Sequence, residues 1–136
     1  MNKDEIKFKH SELGYYLAGL LEGDGNIWTQ KTLRSNDGRR RNPQIMFTSH
    51  TKDIFLYRQI KDILGGGVFY KVKGHNCFMY KIYDLPTLLK LINLINGKFR
   101  TPKILYFHRA IDFLNLKYNL NINKLPLDKS DIDSNP

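Results

Sequence analysis

The sequence is poor in cysteine and in long apolar runs, and each absence excludes a class of protein. Cys77 is the single cysteine, which excludes a disulfide framework and a cysteine-based zinc site. No apolar run reaches the roughly 18 residues that a membrane-spanning helix needs. The opening residues MNKDEIKFKH lack the apolar core of a secretory signal and the acid-poor character of a transit peptide. We therefore expect one globular domain in a reducing compartment.

Acidic residues are also scarce relative to basic ones. The chain has 22 Lys and Arg against 13 Asp and Glu, a net charge of +9 at pH 7. A domain with this excess commonly binds a polyanion, and nucleic acid is the most frequent one. The alternative is that the charge only keeps the surface solvated. The abundance of Asn, Lys and Ile is typical of AT-rich coding genomes, so we expect a mitochondrial or other organelle location.

Helical and extended patterns alternate along the chain. Apolar residues at helical spacing predict a first helix that Ser11 caps and Gly25 terminates. The pattern then predicts two hairpins, with strands at 26–34 and 43–51 and at 67–73 and 77–83. Further helices are predicted over 52–64, 85–96 and 101–120.

This order, αββαββα, predicts an α+β fold in which helices cover one face of an antiparallel sheet. The expected domain comprises residues 1–120. Residues 121–136 are polar and without period, so we expect them to form a tail or linker.

The uncovered face of the sheet is the expected ligand surface, because side chains alternate between the two faces of a strand. In the first hairpin this face would carry Trp28, Gln30, Thr32, Arg34, Gln44, Met46, Thr48 and His50. In the second hairpin it would carry Phe69, Lys71, Lys73, Met79, Lys81 and Tyr83, with Val68, Tyr70 and Val72 buried.

Such a mixture of amides, hydroxyls and cations suits a β-ribbon that lies in the major groove of DNA. Arg39, Arg40 and Arg41 at the tip of the first hairpin would contact the phosphate backbone. The alternative interpretation is that Trp28, Phe69 and Met79 mark a protein interface.

An acid ends the first helix, where the helix dipole disfavours a carboxylate. Gly19 and Gly23 lie four residues apart and would let a second helix approach closely, which would bring two copies of Asp24 together. Divalent cations would stabilise such a pair, and two acids holding metal ions between two DNA strands could activate water. The alternative is a surface acid in a turn before Gly25.

The stretch LAGLLEGDG, residues 17–25, resembles the signature of the LAGLIDADG homing endonucleases. The resemblance covers roughly residues 11–120, including the αββαββα order. The segment 96–103 is similar to the one that carries a functional lysine in organelle members. The resemblance implies a saddle-shaped sheet over the DNA major groove and Mg²⁺-dependent hydrolysis of both strands, leaving short 3′ overhangs.

The resemblance also assigns roles to residues. Asp24 would be the metal-binding acid, assisted by the carbonyl of Gly23, and Glu22 would be structural. Lys103, or alternatively Lys98, would be the lysine that organises the hydrolytic water. Thr51 stands where many relatives place a glutamine that orders water near the metal ions.

A single motif implies a homodimer, with an interface formed by Leu17, Gly19, Leu20 and Gly23. Residues 124–131 resemble the linker of two-motif relatives, so pairing with a different half is the alternative. The expected function is that of a site-specific double-strand DNA endonuclease. The alternative is a non-cleaving RNA-binding protein, either an intron maturase or an organelle ribosome-associated component. A DNA-binding regulator has little support beyond charge and strands.

Overall fold

The computed structural model describes residues 10–34 and 36–129; Ser35 of the predicted hairpin turn and residues 130–136 of the predicted tail lie outside them. The elements are α1 (His10–Asp24), β1 (Gly25–Trp28), β2 (Gln44–His50), a 3₁₀ turn (Thr51–Asp53), α2 (Ile54–Leu64), β3 (Val68–Lys71), β4 (Cys77–Ile82), α3 (Leu85–Ile95) and α4 (Ile104–Tyr118). The α+β class and the αββαββα order are confirmed, and α4 follows where the spacing predicts it. Helix α1 begins before Ser11, so this residue lies inside the helix.

The sheet has four antiparallel strands in the order β1-β2-β4-β3. Its inner face is buried through Ile45, Phe47, Tyr80 and Ile82. These side chains pack with Leu17 and the other buried residues of the helices into one core. No helix within the described ranges combines the length and apolarity that crossing a membrane requires.

Helix α1 packs closely on α3 because Gly14 has no side chain. A Cβ at Gly14 would lie 2.2 Å from the carbonyl oxygen of Leu94. The face of α1 that carries Leu17, Ala18 and Leu21 is therefore fully buried. This packing fixes where the last turn of α1 lies relative to the sheet.

The predicted faces of β3 are wrong. Phe69 pairs with the buried Tyr80, and its ring stacks on that of Tyr80 with centroids 4.9 Å apart. Val68 and Tyr70 are exposed on the open face, and Lys71 pairs with Phe78 on the helix-covered side. The start of β3 depends on Gly67, which has φ 103° and whose Cβ would lie 2.2 Å from the Tyr80 ring. A shift of one residue exchanges the two faces of a strand.

The predicted first strand is too long, because β1 ends at Trp28 and residues 29–43 form a loop. The segment after α4 is also irregular but makes defined contacts over the described residues 121–129. The Asn96 side-chain amide bonds the carbonyl of Asn123 at 2.6 Å, and the amide N–H of Asp128 bonds the carbonyl of Phe99 at 2.8 Å. The division into a domain of residues 1–120 and a tail stays a prediction.

Candidate active site and nucleic-acid interface

Asp24 occupies the junction between α1 and the sheet. It is the last residue of α1, it is exposed, and β1 begins at the next residue, Gly25. A Cβ at Gly25 would lie 2.4 Å from the side chain of Leu21, so the chain enters the strand against its own helix. The carboxylate is thus attached to two rigid elements, which limits the positions that it can reach.

The ammonium group of Lys103 closes the C-terminal end of α1. Its Nζ donates to the carbonyl oxygens of Leu21 at 3.1 Å, Glu22 at 3.1 Å and Gly25 at 2.8 Å. An ammonium group has three protons, so all of its donors are used. A cation at this end of a helix is favoured by the helix dipole, and it offsets the repulsion that the dipole imposes on Asp24.

Glu22 ties the same helix end to the segment before α4. Its carboxylate accepts from the backbone N–H of Arg100 at 3.0 Å and from the hydroxyl of Thr101. We call Glu22 and Lys103 the helix-end clasp. Glu22 of α1 accepts hydrogen bonds from residues 100 and 101, and Lys103 donates hydrogen bonds back to carbonyls at the end of α1. The structural role that the resemblance implies for Glu22 agrees with this geometry.

Lys98 lies at the other end of α1, so the structure separates it from Asp24. Its aliphatic chain runs past Gly14, where a Cβ would lie 2.9 Å from Cδ, and its ammonium lies 5.5 Å from the centre of the Tyr15 ring. Ten residues of α-helix span about 15 Å. Lys98 therefore lies apart from Asp24, whereas Lys103 lies at the same end of α1; which lysine organises the hydrolytic water stays a prediction.

The acid of one chain supplies only part of a metal site. In the parts of the chain that the structure covers, no cluster of three or more His, Cys, Asp or Glu side chains could hold a metal ion. A hard divalent cation takes carboxylate and backbone carbonyl oxygens. Asp24 and the exposed Gly23 offer these donors, and the Gly23 carbonyl is not among the three that Lys103 binds. The donor set fits such a cation, with further ligands to come from elsewhere.

Tyr57 lies beside this junction and was missed by the sequence analysis. It is 2% exposed, and burial raises its pKa to about 12; the charge of Asp24 acts in the same direction, whereas a hydrogen bond with Ser49 opposes it. The phenol therefore stays protonated throughout the neutral range. The spacing Tyr57–Ile60–Leu64, which is the buried stripe of α2, was the available signal.

Thr51 opens the 3₁₀ turn directly after β2. Its side chain is exposed, and its backbone N–H bonds the carbonyl of Asn76 at 2.8 Å, which anchors it to the turn of the second hairpin. His50 caps the same turn by accepting from the N–H of Lys52 at 3.1 Å. A threonine hydroxyl at this position is shorter than the glutamine amide that the resemblance implies there.

The open face of the sheet carries most of the predicted side chains from three strands. The register pairs Trp28 with Gln44 and Met46 with Lys81, so these four share one face. The same face holds Asn26, Thr48, His50, Met79, Val68 and Tyr70. The ammonium of Lys81 lies 5.0 Å from the centre of the Tyr70 ring. Lys71 is not part of this face, and Lys73 lies in the turn beyond β3.

Gln30 is not available to a ligand, which corrects its prediction as an outward strand residue. It is 7% exposed, its Nε2 donates to the carbonyls of Thr32 and Arg39 at 3.2 Å, and its Oε1 accepts from the N–H of Arg41 at 2.7 Å. Because β1 ends at Trp28, this amide organises the loop instead of facing outward. Thr32 likewise donates its hydroxyl within the loop, to the carbonyl of Arg34.

The arginines of the loop surround one acid. Arg41 pairs with Asp37 at 2.7 Å, and Arg39 approaches the same carboxylate at 3.8 Å. Arg34 donates to the carbonyl of Gly38 at 3.1 Å. The Nε of Arg40 is buried and lacks a hydrogen-bond partner within the described residues. Arg39, with a 75% exposed side chain, is the arginine best placed to reach a phosphate.

The predicted dimer surface is only partly available. Leu17 is 0% exposed because it belongs to the core of its own chain, which corrects its assignment to the interface. Gly19 and Gly23 are exposed, nothing lies within 4 Å of a Cβ built on either, and Leu20 is half-buried. These three residues form a smooth stripe on α1 that ends at Asp24.

Comparison with known proteins adds family relationships to this geometry. The LAGLIDADG endonuclease family profile matches residues 17–114. The chain is 36% identical to the intron-encoded DNA endonuclease aI3 of Saccharomyces cerevisiae over 98% of its own length and 35% of that protein. It is 29% identical to the intron-encoded RNA maturase bI4 of the same yeast, over 82% of the chain and 16% of the maturase. The chain thus spans about a third or less of these curated relatives.

Solved structures share the fold. The group I intron-encoded homing endonuclease I-CeuI complexed with DNA superposes with a TM-score of 0.65 at 24% identity, covering 85% of this chain and 59% of that one. The homing endonuclease I-TnaI gives a TM-score of 0.60 at 16% identity, covering 84% and 77%.

Proposed function

Because the chain belongs to the LAGLIDADG endonuclease family, we propose that it is a site-specific double-strand DNA endonuclease that acts as a homodimer. Its phosphodiester hydrolysis depends on divalent metal ions, Mg²⁺ in the first instance. The observation that carries this proposal is the junction of α1 and β1, where an exposed Asp24 lies in the chain between Glu22 and Gly25, whose carbonyls bind the ammonium of Lys103. The relatives with intron-encoded products support an origin in an organelle intron.

The residues of this chain have separate tasks in the proposed reaction. Asp24 and the carbonyl of Gly23 would hold the metal ion, which would supply Lewis-acid stabilisation of the leaving oxygen and an activated water. The helix-end clasp keeps the carboxylate in place, since Lys103 binds three carbonyls of the α1 end. Each subunit contributes one Asp24, so two strands are cut by two copies.

The open face of the sheet binds the duplex. Gln44 and His50 present polar edges that can read bases, and Lys81 and Arg39 supply charge for phosphates. The net charge of +9 supports the binding of a polyanion. Lys71 has no part in this surface, because its partner in the register is Phe78 of the core.

The second candidate function is that of an RNA-binding maturase of the same fold that does not cut. The observation that favours it is the similarity to the RNA maturase bI4, and Thr51 agrees with it where the resemblance implies a water-ordering glutamine. The same basic surface would serve structured RNA.

Selection of cleaved molecules from a randomised duplex library distinguishes the two. With Mg²⁺, the wild type should enrich a near-palindromic sequence, and EDTA should abolish the enrichment. Asp24→Asn should cleave none of it, whereas Asp62→Asn, which changes an exposed acid on α2, should cleave normally. No enrichment by the wild type would reject the nuclease proposal, and cleavage by Asp24→Asn would reject the assignment of the acid.

A further inference from the structure

A cleft at the edge of the open face of the sheet lies between the loop after β1 and helix α4. Its volume is about 580 Å³, within the range of small-ligand sites. Trp28 and Thr29 line it from the strand end and the loop, and Tyr106 and Arg109 line it from α4. Tyr106 and Arg109 are outside the sheet, so a duplex lying over the open face does not by itself account for them.

The chemistry of the cleft is aromatic and cationic. Trp28 is 39% exposed and Tyr106 is 55% exposed, so both rings have accessible surface. Lys31 and Arg109 are its charged residues, and none of the residues that line it is acidic. The nearby acid Asp112 is engaged by Lys124 at 3.1 Å. The cleft therefore combines flat apolar surface with an uncompensated positive charge.

A polar ligand fits better than an apolar one. Besides the charges of Lys31 and Arg109, the exposed side chains of Thr32 and Asn36 add polar groups to its lining. The amide of Gln30, by contrast, is fully used by its own loop.

We propose that this cleft binds an unpaired nucleotide of a single-stranded RNA segment, with the base against Trp28 and Tyr106 and the phosphate at Arg109 and Lys31. Stacking of bases on aromatic rings beside cations is the usual way in which proteins hold single strands. RNA is favoured over duplex DNA because loops and bulges offer unstacked bases, whereas a base in a duplex must first be extruded. The proposal does not depend on DNA cleavage, since a chain that cuts no DNA would still carry this cleft.

Intrinsic fluorescence tests the proposal directly, because Trp28 is the only tryptophan. The probe is an RNA hairpin with a seven-nucleotide single-stranded loop, on the order of the 4–16 nucleotides that one single-strand-binding domain covers. We expect the hairpin to quench Trp28 more strongly than the same stem closed into a continuous duplex, because a duplex on the open face can reach Trp28 but offers no unpaired base to the cleft. A single-stranded DNA of the loop sequence should bind more weakly than the RNA.

Variants on α4 locate the effect. Tyr106→Ala and Arg109→Gln should each weaken hairpin binding about tenfold, the scale of one lost stacking or charged contact. The matched control is Leu105→Ala, which truncates an adjacent residue that is 68% exposed and does not line the cleft. It should bind the hairpin as the wild type does, and all three variants should bind duplex DNA normally.

Several results would overturn the inference. In the fluorescence experiment, they are hairpin binding without quenching of Trp28, or quenching by the closed duplex equal to that by the hairpin. In the affinity measurements, they are single-stranded DNA that binds as tightly as the RNA, or hairpin affinities that do not differ between Tyr106→Ala and Leu105→Ala. Parallel loss of duplex DNA binding in Arg109→Gln would assign the cleft to the duplex surface instead. Failure of the DNA cleavage proposal would leave all of these measurements unaffected.

Discussion

At the scale of single residues, Lys103 and its alternative Lys98 have different surroundings. Lys103 donates to three carbonyl oxygens at the end of α1, whereas the ammonium of Lys98 lies over the exposed ring of Tyr15. Both lysines precede α4 within a few residues, so spacing alone made them equivalent. The packing of Gly14 against Leu94 fixes Lys98 at the far end of α1.

Replacing each lysine by methionine should separate their roles. Lys103→Met removes charge-assisted hydrogen bonds from a helix end, so the free energy of unfolding should fall by about 2 kcal/mol. Lys98→Met keeps the contact with Gly14 and loses only a cation–π contact with an exposed ring, about 0.5–1 kcal/mol. Urea unfolding measures both. Equal destabilisation by the two variants would contradict the helix-end clasp.

Tyr57 makes stability depend on alkaline pH. Burial raises its pKa to about 12 in the folded chain, against about 10 in an unfolded chain. A raised pKa means that the fold binds the proton more tightly, so this contribution is complete below about pH 10 and is lost as the pH rises through about 12. In Tyr57→Phe, stability should decline less steeply over this window. Tyr106→Phe, which alters an exposed tyrosine, should follow the wild type; a Tyr57→Phe curve parallel to the wild type would contradict the assignment.

At the scale of elements, the register of β3 decides which basic side chains can reach DNA. Lys81 of β4 pairs with Val68 and Met46 on the open face, whereas Lys71 of β3 pairs with Phe78 on the opposite face. Both lysines carry the same charge and differ mainly in orientation. They are therefore a matched pair for testing which face binds the duplex.

Anisotropy titrations with a DNA duplex at several salt concentrations make this test. Lys81→Gln should weaken binding and lower the slope of log affinity against log salt by about 1, because one phosphate contact is lost. Lys71→Gln should change neither quantity. The opposite result, an effect of Lys71 alone, would mean that the helix-covered edge of β3 contacts the DNA.

The sequence predicted elements better than it predicted their faces and ends. Helical spacing and turn residues located all four helices and both hairpins, because these signals are local. In β3 both alternations are partly apolar, Val68 with Tyr70 and Phe69 with Lys71, and the contacts of Phe69 with Phe78 and Tyr80 of β4 select between them. Those contacts join separate strands and leave no local signal.

The loop after β1 shows a second limit. The residues from Asn26 to Arg34 alternate as a strand would, yet pairing with β2 stops at Trp28 and Gln44. Beyond that point the amide of Gln30 bonds the backbone of Arg39 and Arg41 in place of a further ladder pair. A side chain that satisfies backbone groups nine and eleven residues away cannot be recognised from spacing.

At the scale of the whole molecule, the acid and the exposed stripe of α1 point to assembly. Asp24 is one carboxylate, and the described residues hold no complete cluster of metal ligands. Gly19, Leu20 and Gly23 lie exposed or half-buried on the same helix that ends at this acid. A second copy packed along this stripe would bring a second Asp24 to the same place, as a two-fold interface requires.

Gly19→Leu tests this assembly without disturbing the single chain. A Cβ at Gly19 has nothing within 4 Å, so the larger side chain fits the isolated fold, and leucine favours a helix more than glycine does. Between two close helices the same side chain would force the backbones apart. We expect sedimentation equilibrium to give a dimer for the wild type and a monomer for Gly19→Leu, with an unchanged circular dichroism spectrum. Asn93→Leu, which adds leucine to the exposed surface of α3, should stay dimeric. A dimeric Gly19→Leu, or a wild type that is monomeric with or without duplex DNA, would refute the α1 interface.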